Sequence, residues 1–254
     1  MTEKLLENKI EYYNIIDTLA KNIARDFSEN RDITQKILKS IWGLYSSVGS
    51  EKRFSDDHFK CAYHNPVTSE LEFFISRILY HYSDINSLGW NILLRKQSKG
   101  KDGKLHVPDI LIKKNDKSLA IVEIKAKAGW IQPFFSSERV QKDLKRKHEG
   151  KSDYDPIEKI GQIRKGLEAY AYNFDLPYQK VYLLLPTLAM VHRKKSKRTI
   201  EDYKADFAKN SGLNKDNLIL LSDNLNLNLD SRDLKDSELS PTKDFEDFIN
   251  EIQK

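Results

Sequence analysis

One stretch of the chain, residues 108–125 (PDILIKKNDKSLAIVEIK), restricts the fold more than any other. Two runs rich in Ile, Leu and Val, residues 107–113 and 118–124, lie on either side of the polar pair Asn115-Asp116. This pattern predicts a β-hairpin, because a polar turn between two β-prone runs is typical of one. Runs this apolar are typical of strands that are covered on both faces. We therefore expect the hairpin to lie in a sheet at the centre of the fold.

Three charged residues interrupt these apolar runs: Asp109, Glu123 and Lys125. Burying an unpaired charge is costly, so charges in buried strands are expected to surround a ligand. Because side chains alternate along a strand, Glu123 and Lys125 point to the same face, and a turn at Asn115-Asp116 places Asp109 opposite Glu123 or one residue away. Two carboxylates there suit a cation that prefers oxygen, such as Mg²⁺. The alternative interpretation is an exposed hairpin with ordinary surface charges.

The residues Pro108-Asp109 and Glu123-Ile124-Lys125 resemble the motif of the PD-(D/E)xK nuclease superfamily, which includes most type II restriction endonucleases. The motif is short, but its two acidic residues lie on neighbouring predicted strands, 14 positions apart. The resemblance covers the hairpin directly and the helices beside it loosely. It implies an α/β (α+β) fold with a restriction-endonuclease-like core, in which a mixed central β-sheet is flanked by helices.

Three regions are expected along the chain: an N-terminal helical subdomain (residues 1–66), the catalytic core (67–230) and a C-terminal acidic tail with a helix (231–254). Apolar residues at three- and four-residue steps predict helices, and short apolar runs predict strands. The predicted helices cover residues 4–28, 33–45, 69–82, 199–210 and 241–253, and a further helix begins at Asp155 and Pro156. The predicted strands outside the hairpin cover residues 90–95, 180–186 and 217–221, and alternating leucines predict an edge strand at 225–229.

The resemblance implies a bound Mg²⁺ ion, for which Mn²⁺ substitutes. The implied ligands are the carboxylates of Asp109 and Glu123 and the backbone carbonyl of Ile124. The implied role of Lys125 is to orient the attacking water and to stabilise charge on the phosphate. Cleavage of this type leaves 5′-phosphate and 3′-hydroxyl ends.

In the resembled family, an acidic residue on the helix before the core strands often joins the metal site. Glu70, on the predicted helix 69–82, is the first candidate for this catalytic and metal-binding role, and Glu72 is the second. Ser69 and Glu72 also fit a capping box, in which Glu72 would only help to begin the helix.

The net charge of +5 hides an uneven distribution. Residues 222–254 contain nine acidic and four basic residues, a net charge of −5, which leaves +10 on residues 1–221. A basic body predicts a polyanionic partner, although a solvated lysine-rich surface has the same composition. The predicted DNA contacts lie in two basic runs: Lys145, Arg146 and Lys147 in the first, and Arg193, Lys194, Lys195, Lys197 and Arg198 in the second. The first run also fits an amphipathic helix at residues 137–148 that packs on the core.

Two further segments leave their role open. The basic turn at 96–105 (KQSKGKDGKL) fits phosphate contact as well as a solvated hairpin tip. His58, Cys61 and His64 are spaced like zinc ligands, but a structural zinc site needs four ligands and the sequence has no second cluster. The single cysteine excludes an internal disulfide and favours a reducing, cytoplasmic location. We expect that the charged N-terminus is not a signal peptide, and no apolar run is long enough to span a bilayer, so no membrane partner is expected.

These features together predict a cytoplasmic, Mg²⁺-dependent deoxyribonuclease. The leading interpretation is a type II restriction endonuclease. Since one site cuts one strand, a double-strand cut predicts a homodimer whose two-fold symmetry matches a palindrome in double-stranded DNA. Two alternatives stay open: a DNA repair or recombination nuclease with the same core, and a nucleic-acid-binding protein with an inactive core. The complete set of Asp109, Glu123 and Lys125 argues against the inactive protein.

Overall fold

A five-stranded mixed β-sheet forms the centre of the protein, and a two-stranded hairpin lies beside it. The computed structural model describes residues 3–29, 32–46, 66–126, 128–137, 141, 155–192, 196–229 and 234–254. The strands in chain order are β1 (Asn91–Leu94), β2 (Ser98–Lys99), β3 (Leu105–His106), β4 (Ile110–Lys114), β5 (Lys117–Ile124), β6 (Val181–Leu185) and β7 (Leu218–Leu220). The sheet has the order β1-β4-β5-β6-β7: β1, β4 and β5 are antiparallel, whereas β5, β6 and β7 are parallel.

Six α-helices surround the sheet in the described part of the chain, so the predicted mixed α/β fold class is confirmed. They are α1 (Glu3–Ser28), α2 (Thr34–Ser46), α3 (Pro66–Ile85), α4 (Pro156–Asn173), α5 (Ile200–Ser211) and α6 (Asp244–Gln253). Helix α4 begins as predicted, because the Asp155 side chain accepts the N–H of Ile157 at 2.8 Å. Among the described residues, no helix is long and apolar enough to cross a membrane.

Both faces of the sheet are covered, and alternate strand residues enter different hydrophobic clusters. On one face, Val122 and Ile124 of β5 pack with α1, α2, α3 and α6. On the other face, Ile121 of β5 packs with α4, α5 and the 3-10 segment Ala128–Phe135. This alternation follows from the two-residue period of a strand. It explains why the central strands are apolar in every position except those near their ends.

The central hairpin, β4–β5, turns where the sequence predicts. Asn115 and Asp116 have φ angles of +48° and +62°. Positive φ at both central residues is the requirement of a type I′ turn, whose twist matches that of the flanking strands. Asn and Asp accept this conformation better than other residues that have a side chain.

The register of the central hairpin shifts by one residue at a β-bulge midway along it. Beyond the bulge Ile110 pairs with Val122, so Asp109 comes opposite Glu123. Without the extra residue Asp109 would lie opposite Val122. A slip of one residue moves a side chain to the other face of a sheet. The bulge therefore places the two carboxylates on the same face.

The edge strand predicted near the C-terminus is wrong, because residues 225–229 form a turn and an irregular segment. The Asn224 side-chain oxygen accepts the N–H of Asn226 at 3.0 Å, and the N–H of Leu227 donates to the Asn224 carbonyl at 3.0 Å. These local hydrogen bonds use backbone groups that a strand would pair with a neighbour. Leu227 and Leu229 are still buried, so the alternation of leucines indicated burial and not a strand.

The predicted capping box on α3 is also wrong. The helix begins at Pro66, three residues before Ser69. A proline in the first turn is favourable, because its missing N–H has no partner within a helix at that position. Ser69 lies inside the helix, which leaves Glu72 available for a contact outside α3.

Candidate active site at the end of the central hairpin

The two carboxylates of the predicted motif lie at the end of the central hairpin, and backbone donors hold both of them. The N–H of Ile124 donates to Asp109 Oδ2 at 2.9 Å, and the N–H of Asp109 donates to Glu123 Oε1 at 3.4 Å. Asp109 is 9% exposed and Glu123 is 8% exposed. Two acidic groups are therefore held side by side with little access to water.

The ammonium of Lys125 lies between oxygen atoms of three residues. Its Nζ is 3.1 Å from Glu123 Oε2, 3.4 Å from Asp109 Oδ2 and 3.3 Å from the carbonyl oxygen of Ile124. These residues are the three that were predicted to hold Mg²⁺. Oxygens that converge in this way form a site for a cation, which the ammonium fills here.

Burial and charge shift the pKa values of this group. Burial raises the pKa of Glu123; the ammonium of Lys125 opposes the shift, and the carboxylate of Asp109 adds to it. Burial alone would lower the pKa of Lys125, but the carboxylates of Glu123 and Asp109 outweigh burial, and the pKa of Lys125 is raised. The carboxylates of Glu123 and Asp109 therefore stabilise the ammonium form of Lys125.

Arg95 connects helix α3 to the site. Its Nη2 donates to Glu72 Oε1 at 2.8 Å, its Nε is ion-paired with Glu72 Oε2, and the same Nε lies 4.0 Å from Asp109 Oδ1. Its backbone N–H donates to the Asp109 carbonyl at 2.9 Å, and its φ angle is +42°. The Arg95 side chain is half exposed, so part of the guanidinium faces solvent at the edge of the site.

Of the two predicted acidic residues on α3, Glu72 has described contacts with Arg95 at the site. Burial raises the pKa of Glu72 to about 7, with the carboxylate of Asp109 adding to the shift and Arg95 opposing it. Among the described residues, Glu72 Oε2 has no hydrogen bond of good geometry. Glu70 is equally buried, but residues two apart on a helix do not share a side. The geometry therefore favours Glu72, the second candidate, over Glu70.

Tyr170 on α4 lies close to the carboxylates of Glu123 and Asp109. Its hydroxyl donates to the carbonyl of Val107 at 3.3 Å, two residues before Asp109. Burial raises the pKa of Tyr170 well above its usual value, and the carboxylates of Glu123 and Asp109 raise it further. The phenol therefore stays protonated next to the acidic pair.

Arg95 and Tyr170 were not predicted as site residues. Tyr170 lies within the helix predicted to begin at Asp155 and Pro156, and nothing in the sequence shows that its hydroxyl lies near the carboxylates. Arg95 ends the predicted strand at 90–95. A charged residue at a strand end before a basic turn is a signal of a functional position. The sequence does not show its contact with Glu72, however, because the two residues are 23 positions apart.

The predicted DNA contacts are only partly described. Lys145, Arg146, Lys147, Arg193, Lys194 and Lys195 lie outside the described residues, as do His58, Cys61 and His64. Lys197 is exposed. Arg198 donates to the Phe135 carbonyl at 2.7 Å and to the Asp202 carbonyl at 3.0 Å, and its guanidinium lies 4.0 Å from the ring centre of Tyr203. These contacts give Arg198 a structural role within the protein.

The donor set at the site suits a hard cation. Within the described ranges, no group of three or more His, Cys, Asp and Glu side chains is arranged to hold a metal ion. The candidate ligands are accordingly two carboxylates and a backbone carbonyl, with the carboxylate of Glu72 nearby in an ion pair with Arg95. Oxygen donors of this kind are those that Mg²⁺ prefers in proteins.

Comparisons with known proteins returned no match: no protein-family model, no curated protein and no solved structure resembles the chain significantly. Inference about function therefore depends on the chemistry of the site and on the sequence motif.

Proposed function

We propose that this protein is a Mg²⁺-dependent endonuclease of the PD-(D/E)xK type that hydrolyses phosphodiester bonds in DNA, and specifically a type II restriction endonuclease. The observation that carries the proposal is the convergence of Asp109, Glu123 and the Ile124 carbonyl on one cation position. A mixed sheet covered by helices on both faces also agrees with a restriction-endonuclease-like core.

In this proposal the residues of the site have distinct tasks. Asp109, Glu123 and the Ile124 carbonyl would hold Mg²⁺, for which Mn²⁺ would substitute. When bound, such an ion lowers the pKa of a coordinated water and neutralises charge on the phosphate. Lys125 then turns its ammonium to the scissile phosphate and stabilises the charge that develops there. The exposed part of the Arg95 guanidinium lies where it can contact the same phosphate.

The test is incubation of supercoiled plasmid DNA with the protein, with Mg²⁺ in one reaction and EDTA in another. We expect cleavage only with Mg²⁺, and 5′-phosphate and 3′-hydroxyl ends when the products are sequenced. Asp109→Asn keeps the size of the side chain but removes a charged ligand, so the cleavage rate should fall by at least about a hundredfold. Much of the DNA binding should remain.

A matched control is Asp116→Asn, which makes the same chemical change in the exposed turn at the other end of the central hairpin. This variant should cut at the wild-type rate. Cleavage by Asp109→Asn at the wild-type rate would show that the site is assigned wrongly.

The pattern of products separates the related activities. Discrete fragments indicate a restriction endonuclease acting as a homodimer on a palindrome, and a smear indicates a nuclease without sequence preference, as in repair or recombination. Binding without any cutting in Mg²⁺ or Mn²⁺ indicates an inactive core.

A further inference from the structure

The hairpin β2–β3, here called the basic hairpin (residues 96–107), leaves the sheet directly at the candidate active site. It begins directly after Arg95 and ends two residues before Asp109. The Arg95 N–H donates to the Asp109 carbonyl at 2.9 Å, and this bond closes the base of the hairpin. Whatever the basic hairpin binds is therefore held next to the acidic pair.

The basic hairpin is docked on the end of helix α4. The N–H of Asp102 donates to Asn173 Oδ1 at 3.0 Å, and the N–H of Lys101 donates to the Asn173 carbonyl at 3.3 Å. The ammonium of Lys101 is ion-paired with Asp175 at 2.5 Å. Gly100 approaches so closely that a Cβ there would lie 2.6 Å from Asn173 Oδ1. These contacts give the hairpin a defined orientation before any ligand arrives.

The two faces of the basic hairpin differ. Ser98 pairs with His106, whose ring packs 6.2 Å from that of Phe174, so this pair faces the protein. Lys99 pairs with Leu105, and both are exposed; Leu105 is 64% exposed. Paired residues share a face, and successive residues alternate, so Lys99 and Leu105 point away from the protein.

Exposed lysines of the basic hairpin carry positive charge that no ion pair within the described residues neutralises. Lys96, Lys99 and Lys104 are exposed, and none of them forms an ion pair with any residue in the described ranges. The acidic residue of the hairpin, Asp102, contacts His106 at 3.0 Å. An exposed leucine between unpaired lysines suits a ligand with a charged backbone and apolar surface in its grooves.

We propose that the basic hairpin is a preset arm that binds duplex DNA beside the candidate active site, with Lys99 and Lys104 on phosphates and Leu105 against the groove. This inference rests on the proposed function. A two-stranded ribbon fits the major groove of B-DNA. Single strands are instead held by aromatic platforms, and residues 96–107 contain no Phe, Tyr or Trp.

The first experiment compares two double variants that remove the same charge from different hairpins. Lys99→Gln/Lys104→Gln changes the basic hairpin, and Lys114→Gln/Lys117→Gln changes the exposed lysines at the turn of the central hairpin, away from Asp109. Binding to a fluorescent DNA duplex is measured by anisotropy in EDTA, over a series of salt concentrations.

We expect the basic-hairpin variant to bind about tenfold more weakly, and the slope of log K against log salt to decrease by about two. The control variant should keep the wild-type slope, because its lysines do not touch DNA. Equal losses in the two double variants would overturn the inference, since they would show that only net charge matters. Equal affinity and equal losses on a single strand of the same length would overturn the choice of duplex DNA.

The second experiment changes the docking without changing any charge. Gly100→Ala places a methyl group against Asn173 and forces the basic hairpin off α4, so we expect weaker duplex binding while circular dichroism shows that the rest of the protein stays folded. The control is Gly43→Ala in α2, where a Cβ meets nothing within 4 Å. Unchanged duplex binding by Gly100→Ala would show that the arm is not preset.

The wild-type protein separates failure of this inference from failure of the proposed function. A wild type that neither binds nor cuts duplex DNA removes the proposed function, and the arm with it. A wild type that binds and cuts, while both double variants lose affinity equally, removes the arm alone.

Discussion

At the scale of single residues, the proposed Mg²⁺ ion would compete with Lys125 for the same oxygens. The ammonium contacts all three residues that we assign as ion ligands, at 3.1–3.4 Å. It neutralises the buried carboxylates as long as no other cation is present. Binding of an ion therefore requires the ammonium to move, and a phosphate is the group that would attract it.

This competition predicts that Lys125→Met binds divalent cations more tightly than the wild type. Removing the competing charge should strengthen Mg²⁺ or Mn²⁺ binding by about tenfold or more. Isothermal titration calorimetry without DNA measures this affinity.

The titration is done at pH 8.5, where the carboxyl of Glu123 is ionised in spite of its raised pKa. Lys114→Met, on the exposed end of the central hairpin, is the control. An affinity equal to or weaker than that of the wild type would mean that the ammonium does not occupy the ion's position.

Glu72 provides a second test at this scale, through the pH dependence of stability. Because burial raises its pKa from 4.5 to about 7, the folded protein binds a proton at Glu72 more tightly than the unfolded chain does. This contribution to stability is fully present below pH 4.5 and is lost as pH rises through 7. The size of the loss is on the order of 3 kcal/mol.

Glu72→Gln lacks this titration, so its free energy of unfolding relative to the wild type should rise between pH 4.5 and pH 7. Urea denaturation at a series of pH values measures the difference. Glu168→Gln, an exposed change on α4, should follow the wild-type curve throughout. A constant difference between Glu72→Gln and the wild type would contradict the raised pKa.

At the scale of elements, helix α5 holds the segment that follows the motif. Asn210 Nδ2 donates to the carbonyls of Phe134 at 3.0 Å and Ser136 at 3.2 Å, and Arg198 donates to the Phe135 carbonyl. The rings of Phe134 and Phe135 each lie 6.0 Å from that of Phe207 on α5. The segment thus covers the sheet although it forms only a short 3-10 structure.

Asn210→Ala removes one donor from several buried carbonyls, so we expect the free energy of unfolding to fall by about 1–3 kcal/mol. Urea denaturation monitored by circular dichroism measures it. Asn22→Ala, on the exposed side of α1, makes the same change without such contacts and should not destabilise the protein. Equal stability of the two variants would mean that Asn210 does not anchor the segment.

At the scale of the whole molecule, the two ends of the chain meet. The Thr34 hydroxyl at the start of α2 donates to Glu246 on α6, 212 residues later. Ile16 of α1, Val122 of β5 and Phe248 of α6 belong to one hydrophobic cluster. Residues 234–254, the described part of the C-terminal region predicted as an acidic tail with a helix (231–254), therefore pack on the sheet.

The charge asymmetry of the chain is partly balanced inside the fold. Acidic residues of the C-terminal region pair with lysines elsewhere: Asp244 with Lys204 at 2.8 Å and Glu251 with Lys180 at 3.0 Å. Lysines that pair in this way are not free for DNA. The basic hairpin differs from them because Lys96, Lys99 and Lys104 form no ion pair with any described residue, and such lysines suit a surface for a polyanion.

Local chemistry in the sequence determined much of this protein. The apolar runs, the Asn115-Asp116 turn and the Asp155-Pro156 helix start depend on residues that are neighbours along the chain, and the structure has them where they were predicted. The grouping of charges at the end of the central hairpin was predictable for the same reason. The leucines at 225–229 show the limit of such reasoning, because alternation indicates burial and does not guarantee a strand.

Only the tertiary structure decided how the site is assembled. The sequence left Asp109 opposite Glu123 or one residue away, and the β-bulge selects the register in which both carboxylates share a face. The contacts of Glu72 with Arg95 and of Tyr170 with Val107 join residues 23 and 63 positions apart. Hydrophobic periodicity reports which side of an element is buried, but it does not report which other element covers that side. That choice depends on the packing of the whole chain, and it determines which polar groups reach the carboxylates.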